Sequence, residues 1–129
     1  MKIYLDSAPI IYLVEQIPAY APAVAAKLST FGGRWVTSEL ARMESLVIPR
    51  RRADVPLIQD FENFFSMQLS ELYDIDRTVF DRAIDICATL GFKSMDALHL
   101  AVAVVNGCDL FLTNDHQLLR FADIVVEVI

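Results

Sequence analysis

The sequence predicts an α/β fold in which a small, mostly parallel sheet lies between two layers of helices. Two features carry that prediction. Short apolar runs alternate with helical stretches of ten or more residues from one end of the chain to the other. Strands spaced by helices imply βαβ units, whose strands lie parallel and are buried on both faces. The intervening stretches also open on Ser, Asp or Pro, and several close on Gly, which are helix-end signals rather than hairpin turns.

The elements follow in order. Lys2–Leu5 (KIYL) is a β-branched and aromatic run that stops at Asp6. Ser7 then caps a helix with Pro9 in its first turn, running through IIYLVE. An Ala-rich helix fills Tyr20 to Phe31 and ends at Gly32-Gly33. Trp35–Thr37 is a weaker strand, and after Thr37-Ser38 a third helix runs through ELARMESLVI. Its apolar stripe reads Leu40, Met43 and Val47, with Arg42 on the solvated side. Pro49–Val55, carrying Arg50, Arg51 and Arg52, reads as an exposed loop. Asp54 caps a fourth helix, LIQDFENFFSM, with Pro56 in its first turn; Glu71–Tyr73 is a short strand. Asp76 caps a fifth helix that Gly91 stops, and Ser94 caps a sixth, MDALHLAVAVVN, that Gly107 stops. Leu110–Thr113 (LFLT), a short QLLRF helix and Ile124–Val128 complete the chain.

Length and composition set the class. A chain of 129 residues with 55% apolar content suits one domain, residues 1–129, with a single ample core. Eleven Lys and Arg against seventeen Asp and Glu give a net charge of −6. That balance argues against a protein that coats nucleic acid by charge alone, and leaves open an enzyme meeting it through a bound cation. Two cysteines, Cys87 and Cys108, make no disulfide framework and lack metal-ligand spacing, which points to a reducing compartment. The N-terminus meets an acid at its sixth residue, unlike a signal peptide, and no apolar run approaches the ~20 residues of a membrane span. A cytoplasmic protein without a membrane partner is expected.

In an open α/β sheet, ligands bind outside the carboxyl ends of the strands. Asp6 follows the first strand, and Asn114-Asp115 follow LFLT. Asp96 sits in the first turn of a helix that is otherwise almost wholly apolar, where an ionised carboxylate is costly unless capped, paired or bound to metal. Each acid alone has a structural explanation: Asp6 and Asp115 as helix caps, Asp96 as a favourable charge at a helix start. Capping explains each position and leaves their convergence unexplained. A fourth acid must come from the third helix, where periodicity leaves Glu39 and Glu44 both open. Converging carboxylates without a Cys/His cluster form an all-oxygen site suited to Mg²⁺ or Mn²⁺, ions that commonly act on phosphate esters.

The segments IYLDSAPIIYL, TSELARMESL, SMDALHLAVA and FLTNDHQLL, in this order and spacing, resemble PIN-domain ribonucleases, and among them the VapC-type toxins of toxin–antitoxin pairs. The resemblance covers nearly the whole chain and implies a PIN-like α/β/α sandwich. It implies that Asp6, Glu44, Asp96 and Asp115 form an acidic quartet holding Mg²⁺ or Mn²⁺, supported by Thr113 and Asn114. Ala8 departs from the family's usual polar residue after the first aspartate. The implied activity is endoribonucleolytic cleavage by metal-activated water, leaving 5′-phosphate and 3′-hydroxyl ends. A homodimer and a cognate antitoxin partner are implied as well.

Other residues stay secondary. His99, on an apolar helix, reads as a satisfied core histidine, and His116 as a helix-start or surface residue. Arg50, Arg51, Arg52 and Lys93 either grip RNA phosphates or form a solvated surface. Phe61, Phe64 and Phe65, at helical spacing, pack in the core or against a second subunit. The alternative functions are a catalytically silent PIN-like module that binds RNA or protein, and a phosphoacceptor signalling domain. The second lacks its adjacent acidic pair after the first strand and its late Lys-Pro.

Overall fold

A computed structural model describes residues 1–129. Five strands form one sheet: β1 (Lys2–Leu5), β2 (Arg34–Ser38), β3 (Glu71–Tyr73), β4 (Leu110–Thr113) and β5 (Val125–Val128). Their order is β3-β2-β1-β4-β5, and every neighbouring pair is parallel. Six helices connect them: α1 (Ser7–Val14), α2 (Ala21–Phe31), α3 (Glu39–Arg51), α4 (Val55–Met67), α5 (Arg77–Leu90) and α6 (Ser94–Val105). A 3-10 turn, His116–Arg120, precedes β5. No helix is long and apolar enough to cross a membrane.

The two-residue period of β1 and β4 divides the core. Ile3, Leu5, Leu110 and Leu112 face α1 to α4, where Ile10, Leu28 and Leu46 meet them. Tyr4 and Phe111 face α5 and α6, against Ile86 and Leu100, and their rings stack with centroids 5.1 Å apart. Each such side chain, once fully buried, contributes about 1.5–3 kcal/mol. Phe61, Phe64 and Phe65 of α4 are buried in the first of these layers, so they serve this chain's own core.

Several ends differ from the sequence reading. Asp6, not Ser7, caps α1, accepting from the Ser7 backbone N–H at 2.8 Å. Ser94 is the first residue of α6, and Lys93 precedes it without a side-chain cap. The expected Pro49–Val55 loop is mostly helix: α3 runs through a buried Pro49 to Arg51, leaving Arg52–Asp54 as the connection. The stop is Ala53, in the left-handed region at φ 51°, where no glycine advertises it. The stripe assigned to α3 is also corrected. Met43 and Val47 are 52% and 45% exposed, and the buried face is Leu40, Ala41, Ser45, Leu46 and Pro49. Arg42 is no free solvated charge, since it pairs with Glu62 at 2.7 Å and Glu39 at 3.3 Å.

Gly33 shows a strict backbone requirement. It adopts φ +81°, and a Cβ there would lie 2.3 Å from the Met1 carbonyl oxygen, the atom that accepts the Arg34 N–H at 2.8 Å where β2 begins. A left-handed L-residue costs about 1–2 kcal/mol before any clash. Gly33→Ala is therefore expected to lower Tm by about 5–10 °C in a thermal melt. An unchanged Tm would show that the N-terminus is not held against Gly33.

Candidate active site

The β1–β4 pair places the site. β1 is central, with β2 on one side and β4 on the other, so the chain changes direction across the sheet there. The carboxyl ends of β1 and β4 sit side by side, joined by the Asp6 N–H donating to the Leu112 carbonyl at 3.0 Å. Directly beyond them come Asp6, Asn114 and Asp115.

Asp6 is 15% exposed and held from two sides. Oδ1 accepts from the Ser7 N–H at 2.8 Å, and Oδ2 from the Thr113 hydroxyl at 2.7 Å. The same Thr113 oxygen accepts the Asp115 N–H at 3.1 Å, so one buried threonine sets both aspartates. Asp115 also caps the 3-10 turn through the Gln117 N–H at 2.9 Å. Its neighbour Asn114 donates to the Tyr12 hydroxyl at 2.7 Å, tying the end of β4 to α1. Capping and convergence therefore hold together, because in a parallel sheet the caps of the following helices all gather at one edge.

Of the two glutamates on α3, Glu39 is spent on Arg42. Glu44, 31% exposed, reaches His99 of α6, with Oε1 2.5 Å from Nε2. The same nitrogen lies 3.6 Å from Asp6 Oδ1, so ligand-type atoms of Asp6, Glu44 and His99 fall within 4.8 Å of one another. Asp96, at the start of α6, stands outside that trio. It is close enough to the others to feel them: burial first, then the charges of Asp115 and Asp6, raise its carboxyl above the ordinary range, opposed by His99 and Lys93.

Carboxylate oxygens are the donors a hard divalent cation takes, and the Asp6, Glu44 and His99 cluster could hold a metal ion, with Asp115 tied to Asp6 through Thr113 and Asp96 within reach of their charge. Arg50, Arg51 and Arg52 are exposed, without ion-pair partners, and lie on and just beyond the last turn of α3. Six residues separate Arg50 from Glu44, about 9 Å along a helix. Lys93 is exposed and near enough to Asp96 to act on its charge. His116 is an exposed first residue of the 3-10 turn.

The sequence reading understated His99. It is a buried, satisfied histidine as expected, 3% exposed, but its partners belong to this site. Burial lowers its pKa, and the Glu44 hydrogen bond with the charges of Asp6, Glu44 and Asp96 outweighs that and raises it. Its Nδ1 lies 2.7 Å from the hydroxyl of Tyr4, which is 2.8 Å from the Ser38 hydroxyl. Burial pushes the Tyr4 phenol far above its usual range. The available signal was chemical: a tyrosine in the middle of a buried strand must find a polar partner.

A family model described as PIN domain matches residues 3–124. No curated protein matches the sequence. Among solved structures, VapBC2 from Rickettsia felis bound to a promoter DNA fragment superposes with a TM-score of 0.79 at 15% identity, covering 99% of this chain and 98% of that one. A toxin–antitoxin complex from Klebsiella pneumoniae gives 0.77 at 16%, covering 98% and 99%. VapC20 of Mycobacterium tuberculosis, described as a toxin cleaving the sarcin–ricin loop, gives 0.72 at 13%, covering 95% and 98%.

Proposed function

The chain belongs to the PIN-domain family, and from that premise we propose that it is a Mg²⁺- or Mn²⁺-dependent endoribonuclease, the toxin of a toxin–antitoxin pair. The observation that supports the reading is the Thr113 bridge between Asp6 and Asp115 at the carboxyl ends of β1 and β4, with Glu44 reaching Asp6 and His99 from α3 and Asp96 near enough to feel the charges of Asp115 and Asp6. The overlay on toxins and toxin–antitoxin complexes over nearly their full length supports it.

In this reading Asp6, Asp96 and Asp115 hold the cation, with Glu44 as a further ligand or acting through water. A divalent ion supplies Lewis acidity at the phosphoryl oxygen and lowers the pKa of the attacking water. Thr113 keeps Asp6 and Asp115 in register through its single oxygen, and Asn114 fixes the end of β4 against α1. Lys93 and Arg50 to Arg52 bind phosphates of the RNA on either side of the cut, orienting the scissile bond without reading its bases. The products carry 5′-phosphate and 3′-hydroxyl ends. The protein works in the cytoplasm as a homodimer of one-domain subunits, and a cognate antitoxin covers the site until it is needed.

The test is cleavage of end-labelled RNA by antitoxin-free protein in Mg²⁺ or Mn²⁺, with a chelator lane and an Asp6→Asn control. Discrete cuts absent from both controls are expected. A pool of cellular RNAs left intact under all metal conditions would move the assignment to a silent PIN-like module that binds RNA or protein.

A further inference from the structure

We infer that His99 is a positioning residue for Glu44, the last link of a buried hydrogen-bonded chain that starts at Ser38 and passes through Tyr4. The inference rests on the nuclease reading above, since it assigns His99 a task at the same site.

The chain's polarity follows from its donors. A tyrosine hydroxyl has one hydrogen. With Ser38 Oγ at 2.8 Å and His99 Nδ1 at 2.7 Å, that hydrogen goes to Nδ1 when the ring is neutral, and to Ser38 when the ring is protonated and Nδ1 itself donates. In both states Nε2 carries a hydrogen, because the Glu44 carboxylate can only accept, and Nε2 donates to Glu44 Oε1 at 2.5 Å with Asp6 Oδ1 3.6 Å away. One N–H is thus aimed at Glu44 and lies beside Asp6.

Three further observations separate this arrangement from a histidine that merely fills space. Glu44 has no other hydrogen-bond partner in the protein, so a long side chain on a helix surface owes its direction to His99. α3 and α6 pack on opposite faces of the sheet, and this bond joins them across its carboxyl edge. Ser38, Tyr4 and His99 are all buried, so the chain is built into the core and fixed before any ligand arrives. Outer partners of this kind orient a site's ligands, and an N–H donated to a carboxylate favours its ionised, metal-binding form.

The experiment measures Mn²⁺ affinity by calorimetry and RNA cleavage under single-turnover conditions for the wild type, His99→Leu, His99→Gln and Tyr4→Phe. His99→Leu is expected to weaken Mn²⁺ binding and slow cleavage by about 10–100-fold, the usual loss for an outer-sphere partner, with KM for RNA unchanged. Glutamine places an amide N–H where the ring Nε2–H was, so His99→Gln should recover most of both quantities. Tyr4→Phe should fall between them. Wild-type Mn²⁺ affinity and rate in His99→Leu would overturn the inference. A His99→Gln protein that folds yet is as impaired as His99→Leu would also overturn it, because the imidazole would then be acting in its own right. Should His99→Leu fail to fold, unchanged affinity and rate in Tyr4→Phe would be decisive against it. If the wild type binds Mn²⁺ and cuts no RNA, the nuclease reading fails, and the Mn²⁺ titrations alone decide the role of His99.

Discussion

Asp96→Asn is expected to lose RNA cleavage by about 10³-fold, equivalent to about 4 kcal/mol of transition-state stabilisation, while metal-free protein melts no lower than the wild type. The two halves of that expectation have one cause. Asp96 is held in a partly buried place among like charges, and burial followed by Asp115 and Asp6 raises its carboxyl above the usual value. A carboxyl whose folded pKa lies above its unfolded one binds its proton more tightly in the fold. Its contribution to stability therefore grows as pH falls from above the folded value toward the unfolded one, and at neutral pH its charge works against folding. Asparagine keeps the shape and removes the charge. The favourable placement of an acid at a helix start, about 0.3–1 kcal/mol, is lost as well, and the raised pKa indicates that burial and repulsion exceed it. Thermal melts in chelator should show Asp96→Asn level with the wild type or a few degrees above at pH 8, the gap closing near pH 4. A clear fall in Tm with cleavage retained would make Asp96 an ordinary helix-start residue.

Most of the fold was legible because its signals are local. Ile3, Leu5, Leu110 and Leu112 alternate with Tyr4 and Phe111 at the two-residue period of a strand, and both faces are covered as buried parallel strands require. The parallel order and the acids beyond β1 and β4 follow from the same alternation of strand and helix. α3 was misread where the burial code is weakest. Its packing face uses Ala41 and Ser45, small residues that a hydrophobicity pattern ignores, whereas Met43 and Val47 point outward. Proline at 49 signals a break, yet the helix continues through it. His99 was hidden for a different reason. Its partners, Tyr4 and Glu44, lie 95 and 55 positions away, and no spacing rule spans such distances. Periodicity could not choose between Glu39 and Glu44. In the fold the two have different partners, Arg42 for the first and His99 for the second, the latter a contact that lies beyond any helical period.

Saturating Mn²⁺ is expected to raise the Tm of the wild type by about 5–10 °C, with EDTA reversing the shift. A ligand that binds only the folded state stabilises it by RT ln(1 + [L]/Kd), about 2.7 kcal/mol at a hundredfold excess over Kd, and a protein of this length moves by a few degrees per kcal/mol. The size of the shift reports the coupling between carboxylates that the fold has already gathered, since the unfolded chain scatters Asp6, Glu44, Asp96 and Asp115 along 110 residues. Asp6→Asn and Asp96→Asn should each remove most of it. Glu39→Gln supplies the contrast. Glu39 is an equally acidic residue of α3, five positions from Glu44 and engaged with Arg42, so its variant should keep the full Mn²⁺ shift. An equal loss in all three variants would mean that Mn²⁺ responds to net charge over the surface. A loss confined to Asp6 and Asp96 requires a defined cation site at the carboxyl edge of β1 and β4, the one place in the fold where those two side chains come near each other.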